Sequence, residues 1–130
     1  MRILFLVGSL RMGGAERVVS RLANYWAENG QDVCVATIRE EASDFYRLDN
    51  RVNRVAFNLG YSVRHKHQRY IKYAKTILAT AKVIRQFKPD VVISFVTGMN
   101  FRALAVKPFF SMPFIISERT NPDKQKISAR

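Results

Sequence analysis

Short continuous apolar runs alternate along this chain with stretches whose apolar residues recur every three or four positions. Ile3-Leu4-Phe5-Leu6-Val7 is such a run, the pattern of a strand covered on both faces. Three glycines between Gly8 and Gly14 break it. From Ala15 the period changes: Ala15, Val18, Val19, Leu22, Ala23 and Trp26 fall on one face of a helix, and Asn29-Gly30 supplies its stop. Val33–Ile38 is a second strand, rich in β-branched residues. Residues 39–50 are polar and acidic, a surface connection, and Arg51–Leu59 reads as a third strand ended by Gly60. A longer helix follows. Tyr70, Tyr73, Ala74, Ile77, Leu78, Ala81, Ile84 and Phe87 are predicted to line its inner side, with Lys72, Lys75 and Lys82 projecting from the other, and Pro89 to end it. Val91–Val96 is a fourth buried strand, Asn100–Val106 a short helix, and Phe114–Ser117 a fifth strand. The tail from Glu118 to Arg130 has no apolar pattern of its own.

Strands alternating with helices, most of them apolar on both faces, predict an α/β fold. It is a doubly wound, Rossmann-like, mostly parallel sheet with helices on both faces. The expected strand order is 3-2-1-4-5, and ligands of such sheets bind where the order reverses, off the C-terminal strand ends. The loops predicted to meet there are Gly8–Gly14, Thr97–Asn100 and Ser117–Asn121.

The length of 130 residues suits one domain with a core and is too short for two. No uncharged apolar stretch approaches the 18 residues a membrane helix needs. The Ile3–Val7 run is too short for a secretion signal and lacks its cleavage site. One cysteine, Cys34, cannot form an internal disulfide, which favours a reducing cytosol. The net charge of +12 is unevenly spread: residues 1–60 balance to +1 and residues 61–130 to +11. Between Arg64 and Lys88 there are eight Lys or Arg and no acid. Such a patch attracts phosphate-rich partners, whether anionic lipid, lipid-linked phosphate or nucleic acid.

The glycine loop runs directly from a strand into a helix. Its glycines allow close approach of backbone N–H groups, and the helix N-terminus favours an anion. The spacing of Gly8 and Gly13 matches the start of a phosphate-binding P-loop. Gly14 and Ala15 then stand where that motif needs Lys and Ser or Thr, so a nucleoside triphosphate site is excluded. The dinucleotide fingerprint Gly-x-Gly-x-x-Gly is absent too. Arg11 is within reach of a phosphate from this loop. Glu16, in the first helical turn, is placed to stabilise the helix dipole. Thr97 and Asn100 are candidate caps of the helix they precede as well as ligand contacts. His65 and His67 lack a third ligand, so no metal site is predicted.

Three segments carry a resemblance. Leu10-Arg11-Met12-Gly13-Gly14-Ala15-Glu16-Arg17 comes first. Lys88-Pro89-Asp90-Val91-Val92-Ile93-Ser94-Phe95 with Thr97 and Asn100 follows, and then Ile116-Ser117-Glu118-Arg119-Thr120-Asn121-Pro122. In this order they closely resemble the N-terminal, acceptor-side domain of bacterial family-4 glycosyltransferases of the GT-B architecture. The subgroup is the one that builds surface polysaccharides, lipopolysaccharide and lipid-linked oligosaccharides. The resemblance implies a retaining transfer of a hexosyl or N-acetylhexosaminyl unit from a nucleotide-diphosphate sugar, with no metal and no other cofactor. It implies that Gly13 and Gly14, with Arg11, lie beside the donor diphosphate. Glu16, Thr97, Asn100, Ser117, Glu118 and Arg119 would lie on the acceptor side of the cleft. It also implies a second, donor-binding domain that residues 1–130 do not contain. The chain is therefore expected to be a single incomplete domain, inactive alone. No catalytic residue can be mapped, and where some relatives place a histidine after strand four this chain has Thr97-Gly98-Met99-Asn100.

The basic helix adds a partner. Eight cations without an anion repel one another unless neutralised, and an anionic membrane contributes about 1 kcal/mol per nearby Lys or Arg. Lys72, Lys75 and Lys82 are expected to face such a membrane, placing the protein peripherally on the inner face of the cell membrane. Two other readings compete. A nucleic-acid-binding module fits the charge, but no recognition motif or exposed aromatic platform accompanies it, so no specific nucleic acid is expected. A non-catalytic remnant, or one subunit of a split enzyme, fits the missing domain.

Overall fold

The computed structural model describes residues 1–60 and 64–117. Five strands, β1 (Arg2–Val7), β2 (Asp32–Thr37), β3 (Asn53–Ala56), β4 (Val91–Phe95) and β5 (Phe114–Ser117), form one sheet in the order β3-β2-β1-β4-β5. All four pairings are parallel. The helices are α1 (Gly14–Glu28), α2 (Lys66–Phe87) and α3 (Thr97–Val106), with short 3-10 turns at Glu41–Ser43 and Lys107–Phe109. The predicted class, strand order and reversal between β1 and β4 are all present.

The two-sided burial of β1 explains why its run is unbroken. Ile3, Phe5 and Val7 point to the face covered by α1, with Val19, Ala23 and Val33; Phe5 stacks between Trp26 (5.6 Å) and Phe95 (6.2 Å). Leu4 and Leu6 point the other way, into a cluster with Val83, Ile84, Phe87, Met99 and Ala103 from α2 and α3. Each such side chain taken fully out of water stabilises the fold by about 1.5–3 kcal/mol. Helix α1 ends as its sequence indicates. Asn29 returns its backbone N–H to Tyr25 and Trp26 and its amide to the Tyr25 carbonyl (2.7 Å), and Gly30 follows with φ +85°. Helix α2 closes with Lys88 in the left-handed region just before Pro89.

Several boundaries differ. β3 covers only the middle of its expected span, and α3 begins at Thr97 rather than Asn100. The larger difference is the rotation of α2. Its buried residues are Thr76, Thr80, Val83, Ile84 and Phe87, while Tyr70, Ala74 and Leu78 are exposed and Tyr73 lies at the surface over Arg102. Threonine reads as polar in a sequence, yet here each hydroxyl bonds a carbonyl of its own helix. Thr76 donates to Tyr73 and Thr80 to Thr76, both at 2.7 Å, so both can be buried as valine would be. Lys72 is turned partly inward with them and does not share the solvent face of Lys75 and Lys82, a correction to the predicted helix face.

Cys34 is buried in β2. Burial pushes its thiol up to about 12, with the nearby Arg54 charge opposing, so it is an inert core group at neutral pH.

Candidate functional site

The strand-end crevice is shaped by bonds between the β1–α1 loop and the chain that follows β2. The Gly8 carbonyl accepts from the amides of Ile38 (3.1 Å) and Arg39 (3.0 Å), and the Leu10 carbonyl accepts from Phe45 (2.8 Å). The Leu10 side chain is fully buried beneath this loop. Tyr46 completes the clamp: its hydroxyl donates to the Gly13 carbonyl (3.0 Å) and accepts from the Gly13 N–H (3.4 Å). Sequence reasoning passed over Tyr46, which lies in an irregular polar connection with no periodicity to mark it.

Gly13 has an extended backbone, so its dihedral angles do not demand glycine. The space beside it is taken by the mobile end of Glu16. That carboxylate folds back over Gly13, and a Cβ there would require it to swing aside. The positive end of α1 already faces a negative charge of its own chain, as expected of Glu16. Of the predicted phosphate-binding groups, the Gly13 amide is thus engaged with Tyr46. Gly14 is exposed with open space around its Cα, and Arg11 is exposed.

At the β4–α3 junction Val96 takes φ +72°, a conformation that costs a β-branched residue about 1–3 kcal/mol. Its N–H bonds the Ser117 carbonyl (3.2 Å), and the Asn100 side-chain amide bonds that same carbonyl (3.2 Å). Asn100 therefore does not cap α3. It lies one turn inside the helix and ties α3 to β5. Its Oδ1 and the Ser94 hydroxyl are buried without a partner among the described residues. Asn100 and Ser117 are brought together as predicted, while Glu118, Arg119 and the Thr97 side chain lie outside the described residues.

Beside the glycine loop the crevice deepens into two adjoining concavities. One, of about 270 Å³, is walled by Gly8, Ser9, Ile38, Arg39, Gly60 and Lys72. The other, of about 540 Å³, is walled by Arg69, Tyr70, Lys72, Tyr73 and Arg102. Lys72 belongs to both. Burial lowers the pKa of its ammonium, and the charges of Arg102 and Arg39 lower it further. Arg102 is fixed in place: Nε donates to the Thr76 hydroxyl (2.6 Å), Nη1 to the Gly98 carbonyl (2.8 Å), and its guanidinium lies over the Tyr73 ring at 4.8 Å. Arg39 and Arg102 carried no sequence signal as a pair, being 63 positions apart. Arg39, however, follows β2 immediately, where the strand-end rule looks for ligand contacts.

A third cavity, of about 530 Å³, lies in the β2–β3 connection, away from the strand reversal. Two of its acidic residues are paired, Arg54 holding both oxygens of Asp44 (2.9 and 2.8 Å) and Arg51 holding Asp49.

The model of Glycosyltransferase Family 4 matches residues 12–128. This chain belongs to glycosyltransferase family 4. A relative in Campylobacter jejuni is 31% identical over 122 residues, covering 93% of this chain and 33% of the relative. It is the GalNAc-alpha-(1->4)-GalNAc-alpha-(1->3)-diNAcBac-PP-undecaprenol alpha-1,4-N-acetyl-D-galactosaminyltransferase. Among solved structures, sucrose-phosphate synthase from Thermosynechococcus elongatus matches with a TM-score of 0.72 at 10% identity, over 92% of this chain and 33% of that one. The chain thus spans a third of the length of each. The likeness of fold identifies it as a Rossmann-like half of the GT-B architecture, the family and fold that the three sequence motifs resemble.

Proposed function

We propose that the chain is the N-terminal, acceptor-side domain of a retaining transferase. It moves a hexosyl or N-acetylhexosaminyl unit from a nucleotide-diphosphate sugar to a lipid-linked or surface-polysaccharide acceptor, without a metal. The observation that carries the reading is a family-4 glycine loop set beside an open crevice at the strand reversal. The relative in Campylobacter, whose printed acceptor is a diphosphate-linked undecaprenol glycan, supports the lipid-linked choice. The amide of Gly14 and the side chain of Arg11 are placed for the donor diphosphate. Asn100 and Ser117, with Glu118 and Arg119, stand on the acceptor side.

Donor binding and catalysis belong to a second domain, so residues 1–130 by themselves transfer no sugar. Turnover of a sugar nucleotide by the purified chain contradicts that. Titration of the isotope-labelled chain with a short prenyl-diphosphate glycan tests the acceptor reading by NMR. Shifts at Ser9, Gly14 and Asn100 are expected; no shift anywhere overturns it.

The enzyme works as a peripheral protein on the inner face of the membrane. No helix among the described residues is long and apolar enough to cross one. The outer face of α2 exposes Tyr70 (74%), Ile71 (51%) and Leu78 (69%) beside Lys75 and Lys82, the make-up of a helix lying in a lipid interface. Flotation with anionic liposomes is expected to carry the chain at low salt, less so for Lys75→Gln/Lys82→Gln. No flotation removes this surface.

A further inference from the structure

Helix α1 begins without a cap of its own. Its N-cap residue is Gly13, which has no side chain to offer the amides of the first turn, and no side-chain hydrogen bond is made there. Helix ends fray, and two adjacent glycines give this one little resistance. What steadies the Gly13 peptide comes from 33 positions away. The Tyr46 hydroxyl donates to the Gly13 carbonyl (3.0 Å) and accepts from the Gly13 N–H (3.4 Å), while the Arg17 N–H gives that carbonyl its ordinary helical bond (3.1 Å).

The phenol is itself well anchored, because residues 45–49 form a strap fastened at both ends. At one end the Leu10 carbonyl accepts from the amides of Phe45 (2.8 Å) and Tyr46 (3.4 Å), and the Phe45 ring stands edge-on to Tyr46 at 5.0 Å. At the other, about 15 Å along α1 from Gly14, the Asn24 side chain brackets Leu48. Its Nδ2 donates to the Arg47 carbonyl (3.1 Å) and its Oδ1 accepts from the Asp49 N–H (2.7 Å). Leu48 packs against the core beneath.

We infer that Tyr46 is a positioning residue for the glycine loop: by holding the Gly13 carbonyl it fixes the Gly14 N–H as a preorganised donor to a diphosphate oxygen. The Gly13–Gly14 peptide is trans, and in a trans peptide the carbonyl and the following N–H point in opposite directions. Fixing the one fixes the other. With the carbonyl drawn toward Arg17 and Tyr46, the Gly14 N–H faces outward from the helix start, and the space around its Cα is open for a ligand. A donor already held in place loses less freedom on binding, and the saving appears as affinity. The inference rests on the diphosphate reading of this loop proposed above; Tyr46 itself touches no substrate.

The test is calorimetric titration of the whole chain with inorganic pyrophosphate, comparing wild type with Tyr46→Phe and Asn24→Ala, each first checked for native unfolding behaviour. Backbone 15N relaxation is measured alongside. Tyr46→Phe keeps the ring and removes only the hydroxyl. It is expected to weaken pyrophosphate binding about fivefold, the usual effect of one hydrogen bond. It should also lower the order parameters of Gly13 and Gly14, while those of Val19 and Ala23 stay near the rigid value of about 0.85. Asn24→Ala, which loosens the strap and leaves the phenol intact, is expected to weaken binding in the same sense by a smaller factor. Equal affinity in wild type and Tyr46→Phe, or glycines that stay as rigid in that variant, overturns the positioning role. Tighter binding by Tyr46→Phe overturns it too, by making the hydroxyl a competitor for the Gly13 N–H. Wild type that binds no pyrophosphate overturns the diphosphate reading of the loop and the inference with it.

Discussion

The β2–β3 connection and the crevice between α2 and α3 are both lined with charge, and they handle it in opposite ways. In the connection, Asp44 and Arg54 meet as a two-pronged pair in a largely buried setting, their side chains 17% and 10% exposed, and Asp49 and Arg51 form a second, more exposed pair. Both arginines named there have their anion inside the chain. In the crevice, Arg39, Lys72 and Arg102 share space with one another and with no carboxylate among the described lining residues. Pairing within the chain holds a loop in shape.

Removing half of a pair in the connection should have the largest effect. Asp44→Ala leaves the Arg54 guanidinium uncompensated in a poorly solvated place, and about 3 kcal/mol of stability should be lost in urea unfolding while diphosphate affinity stays as in wild type. A loss of affinity instead would merge the two regions and break the comparison.

The same step in the crevice should have a smaller effect. Lys72→Gln removes a cation that is only partly buried, so stability in urea unfolding is expected to change by no more than about 1 kcal/mol, the range of a solvent-screened interaction. Clear destabilisation would make Lys72 a structural residue.

Alkaline pH sharpens the contrast through Cys34, whose thiol is buried in β2 with the Arg54 charge nearby. Its pKa rises from 9.0 to about 12. An unfolded chain releases this proton near pH 9 and the folded chain does not, so stability should fall between about pH 9 and 12 by roughly 1.4 kcal/mol per pH unit. Cys34→Ala should flatten that slope in unfolding measured across the range; an unchanged slope would refute the burial effect.

The smallest effect belongs to the exposed pair. Hydrogen bonds from Arg51 hold the Asp49 carboxyl well below its ordinary range. The contribution is present above the unfolded value of 3.8 and fades as pH falls below it. Asp49→Asn should slightly blunt acid sensitivity in a pH-dependent melt and leave neutral stability nearly unchanged.

Much of the fold was legible in the sequence because it is written in short-range pattern. β1 has to be buried on both faces for Ile3–Val7 to be unbroken, and the change of period at Ala15 marks the helix that covers one face. The site was half legible. Gly13, Gly14, Asn100 and Ser117 announce themselves by strand-end position, and the structure brings Asn100 and Ser117 into contact. Tyr46, Arg39 and Arg102 do not, because their meaning lies in contacts with Gly13, Gly8 and Thr76 that lie 26 to 33 positions away. The face of α2 was misjudged because Tyr70 and Leu78 read as core and Thr76 and Thr80 as surface. Hydroxyls satisfied within the helix reverse that ranking, and the same rotation carries Lys72 from the outer face into the crevice.

Where an added diphosphate settles on the folded chain decides the central claim most directly. Backbone and side-chain NMR shifts with pyrophosphate should concentrate at Ser9, Arg11 and Gly14 and shrink in Arg11→Gln. Shifts spread along Lys75, Lys82 and Arg85 instead, undiminished in that variant, would contradict the account.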